Sequence, residues 1–352
     1  MSDTVWAPPA ELVERANVTR LGRRLGAADY HALHRISVEE PWRFWPAVIE
    51  DLGIEFSQRW EQVLDSSRGP EWTTWFTGGT LNLARVCLHR FASDDEALVG
   101  RYEDGERESL TWNEASRQVT QLAEALVELG VEEGDRVAIY MPMCPAVAIA
   151  SHACAHVGAV QVPIFSGFAA PAIASRLEDS SARVAICADW SLRRGKRIDM
   201  RATLDEAGTV QHVIEWNRET RSWPELVTRQ PGTLPPREVD SEAPYLLAYT
   251  SGTTGRPKGA LHVQAGFLVS IARETAYQTD VKRGERIHFA TDMGWIMGPW
   301  TVVGGGAVGA TIVFAEGAPD WPPDRLWRTV AGERVTSLGL SPTLVRALRP
   351  HG

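Results

Sequence analysis

The chain has 352 residues, 44% hydrophobic and 23% charged, with 30 Gly and 21 Pro. Those near-average fractions exclude a disordered, collagen-like or coiled-coil chain. At roughly 150 residues per domain, the length predicts two domains, or one large α/β body with an appendage, and a core that needs no disulfide or metal. Lys plus Arg is 36 against 45 Asp plus Glu, a net charge of −9 with no basic stripe, so nucleic acid is not an expected partner. The four cysteines, Cys87, Cys144, Cys154 and Cys187, fit neither a C-x-x-C pair nor a disulfide framework. The N-terminus lacks the basic and apolar regions of a secretory signal, and the apolar stretch from Ala146 to Phe165 is broken by His152, His156, Gly158 and Pro163. A soluble, cytoplasmic protein without a membrane partner is the expectation.

Residues 1–95 are Trp-rich and punctuated by Pro and Gly, with helical stretches such as Glu11–Leu25, and are read as a wrapping N-terminal extension. From Ala97 the pattern changes. Ala97–Tyr102 and Glu108–Leu110 flank a turn and read as short strands. Asn113–Leu129 has helical spacing and ends at Gly130. Strands are then expected at Arg136–Tyr140, Val160–Phe165, Arg183–Ala188 and Gln211–Glu215, with helices at Ala146–His156 and Ala170–Asp179. Residues 217–240 are polar and Pro-rich and read as a connector. Beyond it, strands are expected at Tyr245–Tyr249, Arg286–Ala290, Ala310–Phe314 and Val335–Leu340. Helices are expected at Val263–Thr279, Pro323–Glu333 and Pro342–Leu348. Apolar strands alternating with helices argue for parallel sheets covered on their faces. The division expected is a 1–95 extension, a first α/β subdomain at 96–240, and a second, incomplete one at 241–352.

The most informative segment is Ala248-Tyr-Thr-Ser-Gly-Thr-Thr-Gly-Arg-Pro-Lys-Gly-Ala260. It follows an apolar strand and is read as leading into a helix, the place where α/β sheets bind ligands. Gly252, Gly255 and Gly259 let backbone amides approach an anion. Thr250, Ser251, Thr253 and Thr254 surround them with hydroxyls, and Lys258 adds a mobile positive charge. Lys258 is one of only three lysines in the chain, with Lys196 and Lys282. This is not a Walker A loop, because Pro257 and Gly259 stand where that pattern differs. A surface hairpin is the bland alternative; the whole string favours a cradle for nucleotide phosphates.

The string YTSGTTGRPKGA resembles the phosphate-binding signature of the adenylate-forming superfamily. TLNLARVCLHR (80–90), GDRVAIYMPMCP (134–145), VPIFSGFAAPAIASRL (162–177), TDMGWIMGPW (291–300) and EGAPDWPPDRLW (316–327) narrow the likeness to its acetyl-CoA-synthetase-like branch, from about residue 40 to 352. The resemblance implies an α/β fold of doubly wound, mostly parallel sheets with helices on both faces, the large N-terminal domain of such an enzyme with its C-terminal lid domain absent from this chain. It implies an AMP-forming acid–CoA ligase using ATP, Mg²⁺ and CoA, with no metal site of its own.

Residue by residue, the resemblance implies phosphate binding by Thr250, Ser251, Gly252, Thr253, Thr254, Gly255, Lys258 and Gly259. Lys258 and Thr250 would be catalytic. Trp295 would form a wall of the acyl pocket, with Ile296 and Met297 on its floor. Met297 stands where acetate-specific relatives carry Thr, so an acid larger than acetate is expected. Gly167, Arg193, Lys196 and Asp320 fall at positions that meet CoA. Asp320 replaces an Asn, and a carboxylate near phosphates is unfavourable unless a cation is interposed. The isolated chain is expected to be inactive for the full reaction.

Three readings stay open: an acyl-CoA synthetase, an adenylate-former serving a carrier protein or performing one half-reaction, and a non-catalytic nucleotide-binding module. His152 and His156, four apart on a helix, are read as packing residues rather than metal ligands. His262 is left between a phosphate contact and a helix opener.

Overall fold

The computed structural model describes residues 6–208, 210–250 and 257–351. Two sheets dominate. Their strands are β1 (Glu96–Arg101), β2 (Arg107–Thr111), β3 (Arg136–Tyr140), β4 (Val160–Pro163), β5 (Val184–Ala188), β6 (His212–Trp216), β7 (Pro244–Thr250), β8 (Lys258–Val263), β9 (Arg286–Phe289), β10 (Thr311–Ala315) and β11 (Ser337–Gly339). The first sheet runs β6-β5-β3-β4-β7-β8 and the second β11-β9-β10-β1-β2. Each is parallel apart from one antiparallel edge strand, β8 in the first and β2 in the second. This is the expected doubly wound α/β architecture.

Sheet membership crosses the boundary expected at residue 240. β7 and β8 complete the first sheet, while β1 and β2, from early in the chain, complete the second. The first 95 residues are also less separate than a wrapping extension. Thr80–Leu81 pairs with Val239–Asp240, and the Asn82 amide donates to the carbonyls of Ala155 (2.8 Å) and Arg237 (2.7 Å).

Chain chemistry accounts for these elements. β5 is buried at every position (VAICA), as a strand covered on both faces requires. The Trp112–Glu128 helix opens on a capping box between Thr111 and Glu114. The Pro145–Val157 helix starts with Pro at its first position and ends on Gly158 at φ +76°. All 13 of its residues are buried, and it packs against strands of both sheets. Its two histidines therefore lie in the core: His156 faces His89 at 3.1 Å and meets the Leu234 carbonyl at 2.9 Å.

Three departures from the expected elements stand out. The helix expected over Glu11–Leu25 breaks at Ala16, which is extended (φ −67°, ψ 136°). There the Asn17 amide turns to Asp280 (2.7 Å), and its side chain to the carbonyls of Ala276 and Val281. A helix not expected from the sequence runs over Met297–Val308, despite Gly304-Gly305-Gly306. Those glycines permit close packing: a Cβ on Gly306 would lie 2.7 Å from the Cys87 carbonyl oxygen, and one on Gly304 2.2 Å from Thr275 Oγ1. Finally, β8, a strand not expected from the sequence, pairs with β7 and lies ahead of the expected helix, which starts at Gln264.

Trp45, Trp60 and Trp75 join Phe56 and Phe76 in an aromatic cluster that anchors the N-terminal segment. Trp6, Trp42 and Trp72 instead face solvent. No helix among the described residues is long and apolar enough to cross a membrane.

Candidate functional site

A cavity of about 670 Å³ opens at the C-terminal edges of both sheets. Its walls follow directly from strand ends: Met143 after β3, Phe165 and Ser166 after β4, Thr291 and Asp292 after β9, Gly317 after β10 and Ser341 after β11. Loops at this edge are where parallel sheets place ligands. β7 lies beside β4 and parallel to it, so Thr250, its last residue, ends at the same edge.

Thr250 pairs with Lys258 across the β7–β8 hairpin, and its hydroxyl donates to the Lys258 carbonyl at 3.4 Å. Both side chains are exposed. Gly259 is required by close approach, since a Cβ there would fall 2.8 Å from Leu247 Cδ1. Ser251, Gly252, Thr253, Thr254 and Gly255 lie outside the described residues. His262 sits on β8, paired with Leu246 and edge-on to Phe267 at 5.3 Å, and burial lowers its pKa. It is therefore a strand residue and does not open the helix that follows.

Of the expected acyl-pocket residues, Trp295 and Met297 line the cavity; Ile296 does not, and is 43% exposed. Gly294 explains how this segment reaches the cavity. A Cβ there would fall 2.4 Å from the Phe165 backbone, so only glycine lets the two segments meet. Asp292 then ties them together. It accepts hydrogen bonds from Ser166 Oγ (2.5 Å) and from the amides of Ser166 (3.2 Å) and Gly294 (2.9 Å). Burial raises the Asp292 pKa, against the pull of these donors and of the Arg193 charge. His288 lines the same cavity with Nδ1 on the Val313 carbonyl at 2.8 Å.

Arg193 and Asp320 also line the cavity, whereas Gly167 and Lys196 do not. Arg193 and Lys196 face each other across a hairpin, Trp190–Arg193 with Lys196–Asp199, that the sequence reading did not contain. Its two turn residues, Arg194 (φ +52°) and Gly195 (φ +71°), both adopt positive φ, as a tight two-residue hairpin turn requires. Arg194, not singled out from the sequence, is the cation paired with Asp320. Its Nη2 donates to both Asp320 carboxylate oxygens, at 2.9 and 2.7 Å.

Two buried carboxylates hold this rim. Glu103 accepts from the amides of Gly195 (2.7 Å) and Ala318 (2.8 Å), joining the hairpin turn to the segment that carries Asp320. Glu316 accepts from the Leu192 amide (3.2 Å) and is paired with Arg218 at 2.9 and 2.6 Å. Arg218 also meets Asp104 at 2.7 Å and lies over the rings of Tyr102 and Trp190. The sequence offered little signal for these residues, because partners about 100 to 200 positions apart leave no local pattern.

A site so built can hold an anion at the hairpin end, an apolar group against Trp295 and Met297, and a second charged ligand at the Arg193–Asp320 rim. Comparisons with known proteins show the family. The family described as "AMP-binding enzyme" matches residues 85–352, and the "Acetyl-coenzyme A synthetase N-terminus" family matches residues 30–87. Acetyl-coenzyme A synthetase of Deinococcus radiodurans is 37% identical, covering 94% of this chain and 54% of its own length. That of Chlorobaculum tepidum is 38% identical, covering 97% of this chain and 53% of its own. The solved acetoacetyl-CoA synthetase from Streptomyces lividans superposes with a TM-score of 0.90 at 31% identity, over 99% of this chain and 56% of that one. The chain thus spans about half the length of the curated relatives it matches.

Proposed function

Because this chain belongs to the AMP-binding enzyme family, we propose that it serves an acyl-CoA synthetase, activating a carboxylic acid with ATP and passing the acyl group to the thiol of CoA. In the first step the carboxylate attacks the α-phosphorus of ATP and pyrophosphate leaves. In the second, the thiolate attacks the acyl carbon and AMP leaves. The observation that carries the reading is the placement of the Thr250–Lys258 hairpin end at the same sheet edge as the cavity lined by Trp295 and Met297.

In this reading the chain contributes position and charge more than covalent chemistry. Lys258 neutralises charge on the departing pyrophosphate, and Thr250, with the loop 251–255 and Gly259, holds the phosphates. Mg²⁺, when bound with ATP, would offset phosphate charge beside Lys258. Trp295 and Met297 bound the acyl group, Asp292 fixes their segment, and Arg193 and Asp320 flank the acceptor's entry. Gly167 and Lys196, outside the cavity lining, would act from the approach to it. The acid we propose is larger than acetate, a reading supported by Met297 in the cavity lining and by a neighbour named for acetoacetate.

The test is carboxylate-dependent ATP–pyrophosphate exchange across short, branched, aromatic and bulky acids. Exchange with one acid class establishes adenylation and names the substrate; exchange with acetate alone overturns the size reading. No exchange, with supplied acyl-adenylates still consumed by CoA, leaves thioester formation only. Transfer to a carrier-protein thiol in place of CoA would favour the carrier reading, and silence in every arm leaves a binding module. Acid-dependent AMP formation by the 352-residue chain would overturn the expectation that it is inactive alone.

A further inference from the structure

The Arg194–Asp320 pair differs from an ordinary surface ion pair in how its two ends are held. Exposed pairs gain little, because two long side chains must be ordered to form them. Here the backbone of both partners is fixed by a third segment. Glu103, nearly fully buried, takes the amide of Gly195 next to Arg194 on one oxygen and that of Ala318, two residues before Asp320, on the other. The ring of Trp321 closes over Gly195, where a Cβ would lie 2.9 Å from Cη2. Asp320 is itself mostly buried, with 19% of its side chain exposed against 53% for Arg194.

We propose that Asp320 is a specificity-determining residue, an internal anion that occupies Arg194 and that an incoming phosphate-bearing thiol must displace. The inference rests on the reading that the acceptor enters at this rim. Arg193 and Arg194 both line the cavity, but the charge of Arg194 is already matched by a carboxylate at 2.7 Å. A phosphate approaching the rim meets two obstacles. It must take the guanidinium from Asp320, and it then faces the released carboxylate as a like charge. An acceptor thiol without phosphates meets neither. The carboxylate thus weakens binding in proportion to the charge the acceptor carries near the rim, while leaving recognition of the uncharged arm untouched.

The experiment compares dissociation constants of CoA and of pantetheine for the wild-type chain, Asp320→Asn, Arg194→Gln and the double variant, by calorimetry at low and at physiological salt. Asn keeps the shape of Asp320 and one oxygen acceptor for Arg194. The expected result is CoA binding about tenfold tighter in Asp320→Asn (~1.4 kcal/mol), shrinking at higher salt, with pantetheine changed less than about twofold. Arg194→Gln should weaken CoA more in the Asp320→Asn background than in the wild type, because only there is the guanidinium released from its partner. Equal CoA affinity in wild type and Asp320→Asn overturns the proposal alone. An equal gain for pantetheine also overturns it, because the effect would then be independent of phosphate. CoA bound by none of the four proteins refutes the underlying reading of the rim, and the proposal with it.

Discussion

Removing the Glu316 charge should destabilise the whole rim, and the structure sets the size of the effect. Arg218 and Glu316 have side chains 3% and 1% exposed, and Arg218 retains Asp104 at 2.7 Å if Glu316 is lost. Breaking a buried pair costs about 3–5 kcal/mol when the remaining charge has no partner. Glu316→Gln, which leaves Arg218 with Asp104 and keeps one oxygen for the Leu192 amide, should therefore cost less, about 2–3 kcal/mol. Arg218→Met strands a carboxylate that has only the Leu192 and Glu103 amides left, at 3.2 and 3.3 Å. It should cost the full range, about 3–5 kcal/mol. Unfolding entropy of about 2.1 cal/mol/K per residue gives ~0.7 kcal/mol/K for this chain, so a loss of about 3 kcal/mol lowers Tm by ~4 °C. The assay is urea and thermal unfolding of both single variants and the double variant. The double variant should be no worse than Arg218→Met alone, a coupling of at least ~2 kcal/mol. Additivity within about 0.5 kcal/mol, or a cost below about 1 kcal/mol for either single variant, would refute the assignment of this pair as a coupled buried unit.

Other outcomes follow from the same geometry. Burial first, then the charges of His156, His152 and Arg85, pull the His89 pKa down to about 3. An unfolded His titrates near 6.5, so between those values the unfolded chain binds more protons. Stability is full above about pH 6.5 and declines as pH falls toward 3, and His89→Gln should flatten that acid limb in urea melts; an unchanged slope would count against a neutral His89. Gly306→Ala gains up to about 1 kcal/mol in helix propensity but forces the Cys87 backbone to move, so a net loss of about 1–2 kcal/mol is expected in the urea midpoint. Lys258→Ala should lower pyrophosphate exchange by about 10²-fold or more with its thermal melt unchanged; an unchanged rate would remove Lys258 from the proposed mechanism.

Much of the molecule was legible because its periodicities are strong. β3 and the helices at 112–128 and 145–157 agree with their expected spans to within one or two residues. The Met297–Val308 helix was missed because three consecutive glycines lower local helix propensity, and tertiary contact with Cys87 and Thr275 overrides that deficit. β8 was missed because KGALHV is short and starts on a glycine-flanked lysine, leaving its pairing with β7 to decide its conformation. At the site, Trp295 and Met297, singled out through the family resemblance, line the cavity. Arg194 was not singled out, because its role depends on a turn whose partner, Asp320, lies 126 positions away. Glu103 and Glu316 share that property: in a linear sequence they look like any acidic residue of a solvated surface.

The interleaving of the two sheets also governs how the chain is made. β1 waits for β10 as its neighbour, and Glu96 and Thr311, which bond across that junction, are 215 residues apart. At about 5–20 residues per second, a ribosome needs ~10–40 s to bridge that distance. Throughout that interval one edge of β1 has only solvent or another chain to pair with, while β2 protects the other. β10 then enters between β9 and β1, and β11 joins the far edge of β9 later still, so a cell making this protein must guard the open edge of β1 while the 215 positions between Glu96 and Thr311 are made.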